Sequence, residues 1–272
     1  MRARGLYSLK LTARTEVWKA ELAGGRRAEA RQLHDGSILL RASCERSVDE
    51  ARFLLALDDD TSEFHRRFAH DPLLGPSVRV LRGLRTTRTS TVAHAALRAI
   101  CGQLIQSRRA REIERVVIRA CGESPPSREA LARLSPAALT GCGLAESRAA
   151  TLARLVRRVD LEFLKTSAAA TALARLRRER GIGPWSVGVI ALQGLGRYDA
   201  GLVADLTLVK LFASLREGWP EQPEETAELL APYDEWQGLA SVFLLAGFAH
   251  GLVPGASADR ARLVRSAYRP AA

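Results

Sequence analysis

Along the first 43 residues, apolar and polar positions alternate with a period of two, the spacing of a half-buried strand. Leu6, Leu9 and Leu11 begin the pattern, and Val17 to Leu22, Arg26 to Leu33 and Ile38 to Ala42 continue it. Gly24-Gly25 and Asp35-Gly36 separate the runs with residues that accept tight turns. The pattern predicts a small antiparallel sheet, with Val48 to Leu57 and Glu63 to Ala69 as two helices covering one face. DPLLGP, residues 71 to 76, interrupts it, because proline does not continue a helix.

From Thr89 onward the period becomes helical. Apolar residues at spacings of three and four predict helices over 90–106, 109–121, 127–134, 136–140, 147–158, 169–180, 185–195, 205–216, 224–230 and 235–249. Ser127, Ser135 before Pro136, and Asp234 stand where N-caps belong. The tail from Ser257 to Arg269 reads as a short basic helix or a frayed end. The fold class is therefore α+β: a small N-terminal antiparallel sheet with covering helices over residues 1–85, then a mostly α-helical region over 86–272.

Composition changes the picture in one respect. There are 41 Lys and Arg against 30 Asp and Glu, a net charge of +11, which favours an anionic partner such as nucleic acid. Only Lys10, Lys19, Lys165 and Lys210 are lysines, and an arginine bias of this kind also arises from a GC-rich genome. Cys44, Cys101, Cys121 and Cys142 lie far apart with no Cys-x-x-Cys pair, which argues against a zinc site or an iron-sulfur cluster. They read as buried thiols in a reducing compartment. No apolar stretch reaches membrane-spanning length and no signal peptide is written, so a cytoplasmic protein is expected.

The most informative stretch runs from residue 173 to 210, LARLRRERGIGPWSVGVIALQGLGRYDAGLVADLTLVK. It reads as helix, tight turn, helix, loop, helix. Gly181 and Gly183 flank Ile182 and permit a reversal that a Cβ would obstruct, while Ile182 anchors the turn inward. Pro184 opens the next helix, whose first amides form a phosphate site requiring no particular side chain. Arg177, Arg178 and Arg180 lie beside the turn. A lone GIG reads first as a helix C-cap, and Asp205, among apolar neighbours 24 residues after Gly181, reads either as an N-cap or as a desolvated catalytic anion.

GIGPW, the Tyr198-Asp199 pair and Asp205 together resemble the signature of the helix-hairpin-helix DNA glycosylases, specifically the 3-methyladenine DNA glycosylase II type. DPLLGP, the segment HAALRAICGQLIQSRRA (94–110) and the N-terminal sheet extend that resemblance over most of the chain. The resemblance implies two helical subdomains with an active-site cleft between them and Asp205 as the catalytic aspartate. Trp185 stands where bifunctional relatives carry a lysine nucleophile, which implies base release without strand cleavage. Trp185 and Trp236 match pocket aromatics, and Val189 holds a pocket position where the best-known members place tyrosine. Gln103 and Leu104 match the wedge that fills the gap left by a flipped nucleotide, with Leu104 the plug. Gln237 departs from an arginine found in many members, so the substrate range differs.

The resemblance further implies damaged double-stranded DNA as partner, a monomer, no required cofactor or catalytic metal, and a monovalent cation held by hairpin carbonyls. Two other functions fit the same features. One is a non-catalytic lesion sensor that keeps the hairpin and the basic surface. The other is a glycosylase for neutral oxidised or deaminated bases, for which His94 is a candidate donor.

Overall fold

The computed structural model describes residues 1–103, 105–216 and 218–256. Leu104 and the 257–269 tail lie outside the described residues. The leading leucine run is not a strand. Leu9–Ala13 is a short helix, α1, started by the Ser8 hydroxyl, which accepts the Leu11 N–H. Its buried positions, Leu9 and Thr12, are three apart, the spacing of a helix face. The strands β1 (Val17–Leu22), β2 (Arg26–Gln32) and β3 (Ile38–Ala42) form an antiparallel meander, with Ala30 opposite both Trp18 and Leu40.

Alternation works as expected in this sheet. Leu22, Ala28, Ala30 and Ile38 are buried, whereas Lys19, Glu21, Arg27 and Arg41 face water. Helix α2 (Glu45–Leu54) covers the inner face by packing Ala51 and Leu54 on Leu22 and Ala28. The second predicted cover does something else. Phe64 and Phe68 of α3 (Ser62–Phe68) turn into the main core, with ring centroids 5.1 Å from Phe243 and Tyr233 respectively. Helix α4 (Gly75–Val80) begins inside DPLLGP, and Asp71 Oδ1 accepts the Leu73 and Leu74 amides that lead into it.

A network of buried hydrogen bonds joins the sheet to the helices. Arg85 is 1% exposed, and its guanidinium donates to the carbonyls of Arg4, Leu6 and Ala56. Arg88 donates to Asp59 and to the carbonyls of Phe53 and Gly196, and the Tyr198 hydroxyl also donates to Asp59. Burial raises the Tyr198 phenol far above its ordinary range, keeping it a donor. One carboxylate thus ties the N-terminal residues to the loop behind the hairpin.

The helices follow in order: α5 (Val92–Gly102), α6 (Ser107–Cys121), α7 (Arg128–Arg133), α8 (Pro136–Gly141), α9 (Glu146–Arg158), α10 (Ala169–Arg177), α11 (Pro184–Val189), α12 (Leu206–Arg216), α13 (Ala227–Leu230) and α14 (Gln237–Ala249). Helix α5 is buried on nearly all sides and is packed by α6, α9 and α11. Its N-terminus is closed by Thr91, which accepts the His94 N–H, and by Glu162, which accepts those of Val92 and Ala93. Ser127 and Ser135 cap as predicted, accepting the Ala130 and Ala138 amides at 3.1 Å.

Asp234 does not cap α14. It lies in a 3-10 segment, Ala231–Trp236, at φ 42°, where Arg67 claims its carboxylate at 2.7 Å. The predicted 185–195 helix starts as α11 and finishes as a π-helical turn, Ile190–Leu195. Cys101 and Cys121 are buried and Cys142 half-buried, but Cys44 is exposed at the start of α2. Among the described residues no helix is long and apolar enough to cross a membrane.

Between α5 and α6, Glu114 Oε1 lies 2.8 Å from His94 Nε2 and accepts the Arg98 Nε–H at 3.0 Å. Burial opposes ionisation of Glu114, but these partners outweigh it and hold the carboxyl below its usual range. A carboxyl lowered on folding binds fewer protons folded than unfolded. Its contribution is therefore complete above the ordinary glutamate pKa and is lost as pH falls through the lowered folded value. Glu114→Gln should destabilise the protein by about 1–3 kcal/mol at neutral pH. Denaturant titrations across pH should show that difference shrinking in acid, and a gap independent of pH would contradict it.

Candidate active site

Helix α10 ends at the turn Gly181-Ile182-Gly183, and the two outer glycines do different work. Gly181 has φ +83°, and a Cβ there would stand 2.6 Å from Thr151 Oγ1 on α9. Gly183 is extended, with nothing within 4 Å of where its Cβ would point, so no steric block within the protein demands glycine there. The expectation that both glycines relieve an obstruction holds only for Gly181. Ile182 is buried, as expected of the inward anchor. Arg154 of α9 donates to the Arg180 carbonyl and braces the turn. The side chains of Arg177, Arg178 and Arg180 are exposed, and none pairs with a carboxylate among the described residues.

The hairpin and the end of α5 are joined directly. Gln103 Nε2 donates to the Gly181 carbonyl at 2.9 Å and to Ser186 Oγ at 3.0 Å. The residue preceding Leu104 is therefore docked on the turn and does not project freely. One residue earlier, Gly102 receives the Trp185 ring, since a Cβ there would lie 2.6 Å from Trp185 Cη2. The same tryptophan donates its indole N–H to Asp205 Oδ2 at 2.9 Å.

Asp205 is the N-cap that its sequence context allowed, and it has a second donor besides. Its Oδ1 accepts the Thr207 amide at 2.8 Å, which caps α12, while Oδ2 is held by Trp185. The carboxylate is half-buried, and two donors fix its plane. Gly188 brings α11 against the chain leading to it, because a Cβ at 188 would stand 2.3 Å from the Gly201 carbonyl oxygen.

Other predicted site residues lie elsewhere. Val189 is 5% exposed and belongs to the main core, so it does not form an open pocket wall. Trp236 stacks on Tyr198, with centroids 5.9 Å apart, and lies 5.7 Å from Phe64. With Ala169, Arg197, Asp199 and Glu235, these two aromatics line a shallow pocket of about 260 Å³ that includes neither Asp205 nor Trp185. His94 is engaged with Glu114 between α5 and α6. Sequence reasoning missed Gly102 and Ser186. A glycine closing an apolar helix reads as a terminator, and nothing local signals that a ring 83 residues later requires the space.

No family model matches the chain. A DNA-3-methyladenine glycosylase of Bacillus subtilis is 27% identical over 204 residues, which cover 69% of this chain and 67% of that protein. A probable bifunctional transcriptional activator/DNA repair enzyme, AlkA, of Mycobacterium tuberculosis is 29% identical over 213 residues, covering 73% of this chain but only 42% of its own length. Among solved structures, the 3-methyladenine DNA glycosylase of Archaeoglobus fulgidus superposes with a TM-score of 0.76 at 17% identity, covering 92% of this chain and 98% of that one. An 8-oxoguanine glycosylase/lyase of Clostridium acetobutylicum, in complex with double-stranded DNA, gives 0.74 at 17% identity, covering 91% and 93%.

The fold is that of the helix-hairpin-helix DNA glycosylases, and in sequence the chain resembles the 3-methyladenine DNA glycosylase II type.

The two hairpin glycines should respond differently to substitution. Gly181→Ala forces a Cβ into the left-handed region and onto Thr151, and should cost about 1–3 kcal/mol. Gly183→Ala should stay within about 0.5 kcal/mol. Paired urea titrations check both, and equal losses would refute the assignment of the strain to Gly181.

Proposed function

We propose that the chain is a monofunctional DNA glycosylase that hydrolyses the N-glycosidic bond of alkylated purines, of the 3-methyladenine type, in duplex DNA as a step of base excision repair. The observation that carries this reading is the Asp205 carboxylate, oriented by the Trp185 indole N–H and the Thr207 amide beside the hairpin. Breaking the sugar–base bond builds positive charge on the sugar. A carboxylate already fixed in place stabilises that charge without reorganising, and it can orient the attacking water. An alkylated purine leaves as a neutral base from a cationic nucleoside, so no strong general acid is required.

Trp185 contributes in two ways. Its aromatic face attracts an electron-poor, cationic base. It also carries no amine, so no covalent intermediate forms at that position and the abasic strand stays intact. The backbone amides around Gly183 and Trp185 and the exposed Arg177 and Arg178 side chains would grip phosphates without reading sequence. Leu104 would fill the space left by the flipped nucleotide, with Gln103 holding the end of α5 against the hairpin. The protein would act as a monomer without a required cofactor. A monovalent cation at the hairpin would be held by main-chain carbonyls of the turn and would add positive charge beside a phosphate. Those of Gly181 and Glu179 each accept one protein donor and keep a free lone pair.

A second reading, excision of a neutral oxidised base, draws on the fold likeness to the 8-oxoguanine glycosylase/lyase. It would need further donors in the pocket, and His94 is already committed to Glu114. Duplexes that each carry one lesion, scored separately for base release and for strand cleavage, distinguish the two. Release of alkylated purines without strand cleavage is expected, and substantial lyase cleavage would overturn the monofunctional reading. Asp205→Asn should lower release on the order of 100-fold or more while DNA binding persists. Equal release by both proteins would remove Asp205 from the mechanism, and salt-independent binding would remove the arginines.

A further inference from the structure

Asp205 is reached by an irregular strap, Arg197 to Ala204, that belongs to no helix or strand. Its backbone is held from the side at three points. The Tyr198 carbonyl accepts the Gly238 amide at 2.7 Å. Leu202 N donates at 3.0 Å to Ser241 Oγ, whose own proton goes to the Gln237 carbonyl at 2.7 Å. Ala204 N donates at 2.8 Å to Thr226 Oγ1, whose proton goes to the Pro223 carbonyl, also at 2.8 Å. Both hydroxyl residues are fully buried, and in each the proton's direction leaves a lone pair for the strap amide.

The last of these contacts matters most, because Ala204 has φ +68°. An alanine seldom adopts the left-handed region, and it stays there only where its surroundings insist. That dihedral directly precedes Asp205 and sets where its side chain points. The turn is closed on the other side by Asp205 N, which donates to the Leu202 carbonyl at 3.0 Å. Thr226 is itself fixed, at the end of the 3-10 turn Pro223–Thr226, where the Gln222 amide donates to Glu225 Oε1 at 2.7 Å.

We propose that Thr226 is a positioning residue for Asp205: its buried hydroxyl clamps the Ala204 amide, holds residue 204 left-handed, and so keeps the carboxylate on the Trp185 indole. The inference rests on the reading of Asp205 as the catalytic carboxylate. Thr226→Val removes the acceptor at nearly constant volume and leaves the Ala204 amide without a partner. Residue 204 then relaxes and the carboxylate leaves its orientation. Thr226→Ser restores the acceptor, and Ala204→Gly in the Thr226→Val background restores easy access to the left-handed conformation.

The experiment uses single-turnover base release from a duplex containing one alkylated purine, with DNA affinity measured alongside. The Trp185 indole proton resonance, identified by its loss in Trp185→Phe, is followed in the same variants. Thr226→Val should lower the single-turnover rate about 10- to 100-fold at unchanged DNA affinity and shift the indole proton. Thr226→Ser should return both toward wild type, and the added Ala204→Gly should recover part of each. An unchanged rate and an unmoved resonance in folded Thr226→Val would overturn the proposal, as would a loss that tracks only melting temperature. Should Thr226→Val fail to fold, Ala204→Val puts a β-branched residue in the same strained position and must produce the same two changes. The indole resonance is independent of activity. If Asp205→Asn proves harmless, the functional reading falls while the clamp still stands or falls on the resonance.

Discussion

Everything at the candidate site depends on how closely α11 is allowed to approach its neighbours. A Cβ at Gly188 would collide with the Gly201 carbonyl, one at Gly194 would stand 2.8 Å from Ala95 Cβ, and one at Gly102 would meet the Trp185 ring. These missing side chains let a helix, a helix end and an irregular strap meet nearly backbone to backbone. In a densely packed interior such contacts cannot be adjusted by small amounts. The hydrogen bond from Trp185 to Asp205 is a product of that packing, because the ring has one slot and the carboxylate one approach.

The same geometry explains why the hairpin and the end of α5 act as a single body. Gln103 ties the end of α5 to the turn, Thr151 and Arg154 brace the turn from α9, and Ile182 anchors it from within. A phosphate gripped at the hairpin and a residue inserted from the end of α5 would therefore keep a fixed separation. That rigidity suits the proposed reaction, in which one nucleotide is drawn out of a duplex while its flanks are held.

The sheet, the serine caps and the hairpin were legible in the sequence because each is encoded locally, by alternation, by Ser127 and Ser135, and by GIG followed by proline. Asp205 was legible as a position but not as a geometry, since its cap and its indole partner look alike until both oxygens are assigned. What escaped was encoded at long range. α3 was read as a cover for the sheet because its periodicity does not say which layer its phenylalanines enter. Asp234 was read as a cap because Arg67, 167 residues earlier, is invisible to a local pattern. Trp236 was read as an aromatic of the Asp205 pocket. It stacks on Tyr198 instead, beside an N-terminal cluster that no spacing rule connects to it.

The π-helical turn Ile190–Leu195 lies between the hairpin helix and the strap that leads to Asp205. Such a turn accommodates one residue more than an α-helical turn can. The extra residue is taken up inside the turn, so closing it to regular α-helix by losing that residue would leave the downstream chain near its present phase. Removing a residue from the regular turns of α11 would instead rotate the strap by about 100° and present its wrong edges to Ser241 and Thr226. The π turn is therefore where this part of the chain absorbs a change of one residue, and the regular helix before it is where the count is fixed.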